Sequence, residues 1–130
     1  MKKICIPLAN GFEEVEAVTI IDICRRAEIE VTIAGVEGLN ISGSHNIKVT
    51  ADTEIQNINP NEFDMIVLPG GLPGAETLAN NPIVQKILKE QKSKNGHILV
   101  QYVQHLMPFI KLVFLMVNIP VTLLGKIKLI

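Results

Sequence analysis

The chain has 130 residues, 48 % of them apolar and 19 % charged, with a formal net charge of −1. That is enough for one domain with a sizeable core and no disulfide or metal staples, and the composition excludes a disordered chain. The near-neutral charge gives no basis for a nucleic-acid partner.

Lys3 to Ala9 is a short apolar run bounded by Asn10-Gly11, which predicts a buried strand. Glu13 to Ala27 then has helical spacing, with Val15, Val18 and Ile21 on one row and Ala17, Ile20, Cys24 and Ala27 on a flanking one. Acids in its first turn and Arg25-Arg26 in its last suit the helix dipole. Glu30 to Val36 predicts a second strand, so the opening reads as a βαβ unit with a parallel sheet. Leu39 to Asp52 predicts a strand pair around Ser42-Gly43-Ser44, and Phe63 to Leu68 a buried strand ended by Pro69-Gly70-Gly71. A short helix is expected over Ala75 to Ala79. A longer one starts at Asn81-Pro82, with Ile83, Ile87 and Leu88 facing inward. Lys94-Asn95-Gly96 ends it, and His97 to Val100 begins a central strand. The alternation is that of a doubly wound α/β fold, whose ligands collect at the carboxyl ends of the strands.

Cys5 and Cys24 lie inside apolar periodic segments and read as buried structural thiols of a reduced compartment. The apolar run after Met1-Lys2-Lys3 is too short for a signal peptide, so the expected location is the cytoplasm. All 13 acidic residues lie at or before Glu90, whereas the last 40 positions hold five lysines and no acid. A globular surface normally mixes both signs, so the chain changes character after about residue 95.

Two strand ends carry candidate chemistry. Gly11-Phe12-Glu13-Glu14-Val15-Glu16 puts three carboxylates at a helix start, where solvated, dipole-stabilising glutamates are the plain reading. Glu16 sits one turn in, where a partly desolvated carboxyl would have a raised pKa and could donate a hydrogen bond to an anion. Pro69-Gly70-Gly71-Leu72-Pro73-Gly74 directly follows a strand, and its glycines can expose N–H groups to an oxyanion or simply make a strand-to-helix turn. It is neither GxGxxG nor a P-loop.

KKICIPLANGFEEVEAV, ICRRAEIEVTIAGVEG, DMIVLPGGLPGAETL and KILKEQKSKNG together resemble the DJ-1/ThiJ branch of the DJ-1/PfpI superfamily, over residues 1 to about 98. The resemblance implies a flavodoxin-like (class I glutamine amidotransferase-like) parallel-sheet sandwich, incomplete at the C-terminus. It also implies a homodimer and a cysteine-dependent glyoxalase or deglycase activity on small reactive carbonyls, or an oxidative-stress sensor, with no metal and no other cofactor. The family's glutamate falls on Glu16 and its oxyanion glycines on Gly70 and Gly71. Its nucleophilic cysteine belongs after the strand at His97, in a segment close to AICAAP. Gln101-Tyr102-Val103-Gln104-His105-Leu106 stands there instead, and neither Cys5 nor Cys24 occupies the right position. Nothing supports His105 as a replacement.

The genetic code offers a reason. Tyr102 to Leu106 are encoded TAY GTN CAR CAY YTN. Read from the third base of the Gln101 codon, they become RTA YGT NCA RCA YYT, which permits Ile-Cys-Ala-Ala-Pro. The next shifted codons permit Tyr or His and then force Ala. Residues 99–130 therefore read as an aberrant, out-of-frame apolar tail, and the chain as written as catalytically inactive. Leu106 to Leu124 is near membrane-spanning length, but Lys111, Pro108 and Pro120 make a membrane anchor a poor reading, and an exposed apolar tail predicts aggregation. The alternatives are a non-enzymatic binding or chaperone-like module and, behind it, a membrane-tethered one.

Overall fold

The computed structural model describes residues 2–100, 110–111, 113–115 and 117–122. Strand β1 (Lys3–Leu8), helix α1 (Glu14–Arg26) and strand β2 (Glu30–Gly35) form the opening unit. A hairpin of β3 (Asn40–Ser42) and β4 (Lys48–Thr50) follows, then the two-residue strand β5 (Thr53–Glu54) and two single turns of 3₁₀-helix. Strand β6 (Met65–Leu68), helices α2 (Gly74–Asn80) and α3 (Pro82–Ser93) and strand β7 (His97–Val100) complete the described body. The main sheet has the order β5-β2-β1-β6-β7, and every pairing in it is parallel.

The two-residue period of the strands sends alternate side chains to opposite faces. Ile4, Ile6 and Leu8 of β1 join Met65 and Val67 of β6 beneath Ala17, Ile20, Ile21 and Cys24 of α1. Cys5, Ala34 and Ile66 face the other way, onto Leu78 of α2 and Val84 and Ile87 of α3. Each fully buried aliphatic side chain contributes about 1.5–3 kcal/mol, so these two layers hold the sheet between the helices.

Packing selects the buried face of α1 and shifts that of α3. Of the two apolar rows on α1, the one with Val15 and Val18 is turned outward, at 61 % and 44 % exposure, while Ala17, Ile20, Ile21, Ile23 and Cys24 are buried. Two adjacent apolar rows satisfy the same period, and only the position of the sheet chooses between them. On α3, Ile83 is likewise exposed, while Val84, Ile87 and Gln91 are buried. Asn81 caps this helix, its side-chain oxygen accepting from the N–H groups of Ile83 and Val84 at 3.0 and 3.1 Å.

The tail departs from the expectation of an exposed apolar segment. Ile110, Val113, Phe114 and Val117 are buried in the same cluster as Ile4, Met65 and α1, leaving Leu115 exposed. Their i, i+3, i+4, i+7 spacing is a helical stripe that finds an apolar sheet face to cover. Among the described residues no helix is long and apolar enough to cross a membrane.

Candidate functional site

Two turns meet at the carboxyl ends of β1 and β6. Glu13 N–H donates to Gly70 O at 2.9 Å, and Gly74 N–H donates to Gly11 O at 3.3 Å. The contact leaves no room for side chains. Gly71 has φ +101°, and a Cβ there would stand 2.7 Å from Gly11 O and 2.8 Å from the carbonyl carbon of Phe12. Gly11, at φ +86°, would drive a Cβ into Pro73. Glycine is required on both sides by conformation and by space.

This junction carries Glu16 from the first turns of α1 into the interior, where it is 1 % exposed. One carboxyl oxygen, Oε2, accepts from Gly70 N–H at 2.7 Å. The other, Oε1, is buried and has no partner among the described residues. Burial pushes the Glu16 pKa up; the Gly70 hydrogen bond opposes this and the neighbouring Glu13 charge adds to it. The carboxyl is shifted toward its neutral form, with one oxygen held by Gly70 N–H.

Gly70 and Gly71 play different parts. The Gly70 N–H is taken by Glu16, so it orients the acid and is not free to meet a developing oxyanion. The Gly71 N–H makes no hydrogen bond among the described residues, while Gly71 O accepts from Ala75 N–H at 2.8 Å. Only one of the two expected amide donors is open.

Two residues before Glu16, Glu14 has a different role from the solvated acid expected. It is 5 % exposed and grips the β3–β4 turn. Its carboxylate accepts from the backbone N–H groups of His45 at 2.9 Å and Ile47 at 3.2 Å, and from the Ser44 hydroxyl at 3.3 Å. Burial alone would raise its pKa. The backbone donors, including its own N–H, and the His45 ring outweigh that and hold it at about 2. The one hint in the sequence was an acid two residues from Glu16, followed thirty residues later by a Gly-Ser-His-Asn turn able to present N–H and hydroxyl donors.

The same grip brings Glu13, Glu14 and His45 within reach of one another, with His45 Nδ1 3.2 Å from Glu14 Oε1 and 3.7 Å from Glu13 Oε1. This is the one such trio among the described residues. It fits a metal poorly, because the Glu14 oxygens already accept the turn's donors.

Neither described cysteine reaches the junction as a reactive group. Cys5 and Cys24 are buried, and burial pushes both thiols up to about 12. Such thiols are not nucleophiles at neutral pH. His105 and the segment where an elbow cysteine was sought lie outside the described residues.

Comparison with known proteins gives this geometry a context. The DJ-1/PfpI family model matches residues 2–100. An Arabidopsis thaliana protein, DJ-1 homolog B, is 47 % identical over 91 residues, covering 69 % of this chain and 21 % of the relative. The Drosophila melanogaster protein dj-1beta is 36 % identical over 98 residues, covering 75 % of this chain and 52 % of the relative. The crystal structure of Drosophila DJ-1beta superposes with a TM-score of 0.74 at 30 % identity, covering 91 % of this chain and 61 % of that one. A Caenorhabditis elegans protein, glutathione-independent glyoxalase DJR-1.2, is 29 % identical over 86 residues, covering 66 % of this chain and 46 % of the relative. The chain thus spans about half the length of the fly and worm relatives, and about a fifth of the Arabidopsis one.

Proposed function

The chain belongs to the DJ-1/PfpI family, and from that membership and the geometry of the junction we propose that Glu16 and Gly71 are the acid and amide half of a cysteine-dependent site acting on small reactive carbonyls. The observation that carries this reading is the buried, partnerless Oε1 of Glu16. A neutral carboxylic acid with one oxygen pinned by Gly70 N–H presents the other as a hydroxyl donor, and a burial-raised pKa keeps it in that form. An unsatisfied buried donor costs about 1–3 kcal/mol, so such an atom is expected where a reacting group completes it. A thiolate or its sulfinate is a fitting acceptor, and the Gly71 N–H, which makes no hydrogen bond among the described residues, is the amide assigned to the charge that forms when a thiolate adds to an aldehyde. The glyoxalase name of the worm relative supports this substrate class.

The thiol belongs to the alternative reading frame. Residues 99–130 are an out-of-frame replacement for the segment carrying Ile-Cys-Ala-Ala-Pro, and the 130-residue chain holds the acid and the amide without the nucleophile. It is therefore inactive in thiol chemistry. The frame-restored protein is a cytoplasmic homodimer that handles glyoxals or senses oxidants through the same thiolate. The exposed Val15 and Val18 of α1, beside the Glu14-held turn that leaves Ile47 exposed, supply an apolar patch suited to pairing two copies.

The test has two parts. Sequencing the coding DNA from the Lys92 codon onward should find a shifted frame that reads through the cysteine to a family-length end. Incubating both forms with methylglyoxal should give turnover by the frame-restored protein, none by its Glu16→Ala variant and none by the 130-residue chain. Turnover by the 130-residue chain itself, lost on Glu16→Ala, would overturn the assignment of inactivity. A shifted frame that closes within a few codons would remove the proposed nucleophile.

A further inference from the structure

We propose that the described residues from Ile110 to Thr122, helical up to Leu115, are a working structural layer that closes the α1 side of the sheet and lets the chain fold stably without the family's own sequence there. The proposal is independent of the chemistry assigned to Glu16. Three observations carry it.

The first is burial. Ile110, Val113, Phe114 and Val117 are each at most 1 % exposed and share one cluster with Ile4, Ile6, Met65 and Val67. Those sheet side chains need an apolar cover, and α1 and these four residues share it. Lys111 and Leu115 point outward on the opposite side of the same helical turns, so the segment is amphipathic as placed.

The second is how the helix stops. Asn118 has φ +58°, its N–H donates to Leu115 O at 3.1 Å, and Ile119 N–H donates to Phe114 O at 2.7 Å. That pair of bonds around a left-handed residue is the Schellman arrangement, here with Ile119 packed on the cluster that holds Phe114 and Pro120 following. The two long helices of the family-matching body end in the same way. Glu28 (φ +62°) and Ile29 close α1 by bonds to Arg25 O and Cys24 O, and Asn95 (φ +59°) and Gly96 close α3 by bonds to Lys92 O and Gln91 O. The tail thus has a defined end as well as an apolar face.

The third is the superposition on the fly protein. Its sequence aligns with 75 % of this chain, yet its crystal structure covers 91 %, which takes in residues beyond Val100. The superposed span thus reaches past the sequence match. Shape and hydrophobic pattern suffice to fill a layer, because burial of apolar area is not tied to particular side chains.

The experiment uses the full 130-residue chain and three variants. Phe114→Asp should lower Tm by more than about 10 °C and speed amide exchange in β1 and β6 at least tenfold, since it places a charge among Ile4 and Met65. Leu115→Asp, on the exposed side, should change neither. Asn118→Val should lower Tm and Asn118→Gly should not, because a β-branched residue resists φ +58° most strongly and glycine adopts it freely. If Phe114→Asp and Leu115→Asp behave alike, or if Asn118→Val is silent, the layer is not formed and the proposal fails. An unmodified chain that is insoluble or lacks a cooperative transition overturns it equally.

Discussion

Glu14 and Glu16 lie two residues apart on one helix turn, both almost wholly buried, and they are driven in opposite directions. Glu14 is held at about 2, whereas burial pushes Glu16 upward. The desolvation that penalises a charged carboxylate acts on both. What differs is the supply of donors. Glu14 meets the Ser44 hydroxyl and the N–H groups of His45 and Ile47 from a hairpin turn, and Glu16 meets one N–H and keeps an oxygen without a partner. A fully donated carboxylate becomes a charged clamp. An under-donated one is shifted toward the neutral acid, which is why the first is structural and the second is the proposed site residue.

The largest effect on this contrast should come from removing the junction that supports it. Gly71→Val combines a forbidden φ with contact against Gly11 O and Phe12, and should cost about 3 kcal/mol or more in chemical denaturation. Next, Glu14→Ala should release the β3–β4 turn, because it leaves the His45 and Ile47 N–H groups without their acceptor. Amide exchange at His45 and Ile47 should rise about tenfold or more, with β6 unchanged.

Acidity separates the two residues directly. The depressed pKa of Glu14 gives stability that is present above about 4.5 and lost as pH falls toward about 2. The raised pKa of Glu16 gives the opposite sign: its contribution is full below about 4.5 and is lost as pH rises through its folded value. Glu16→Gln keeps an acceptor for Gly70 N–H and cannot ionise, so stability should decline less on the alkaline side, with the acid limb unchanged. Urea midpoints between pH 3 and 8 check this, and identical pH profiles for Glu16→Gln and the native chain would show that Glu16 is already charged. The smallest effect expected is at the end of α1. Glu28→Gly should raise stability by about 0.5–1 kcal/mol, since glycine adopts φ +62° without strain.

Most of the body was legible from the sequence. The runs at Lys3, Glu30 and Met65 became parallel strands, Asn81-Pro82 opened α3, and the Asn10-Gly11 and Pro69-Gly70-Gly71 turns fell at the strand ends. Periodicity and turn residues are local signals, and these elements obey them. The candidate site was legible in part. Glu16 was singled out as an acid able to enter the cleft, and the PGG turn as a source of amides. The division of labour between Gly70 and Gly71 was not visible, because which N–H remains open depends on a carboxyl arriving from 54 residues away.

Three matters were settled only by tertiary packing. Val15 and Val18 share helical spacing with the buried row of α1, and the sheet's position alone turned them outward. Glu14 became a clamp because a hairpin thirty residues later presents its donors to it. The apolar stripe at Ile110, Val113, Phe114 and Val117 became core because an uncovered sheet face lay within reach. Local sequence determines conformation residue by residue through short-range sterics and hydrogen bonding. The burial, charge state and exposure of a side chain are decided by whatever else the fold brings against it.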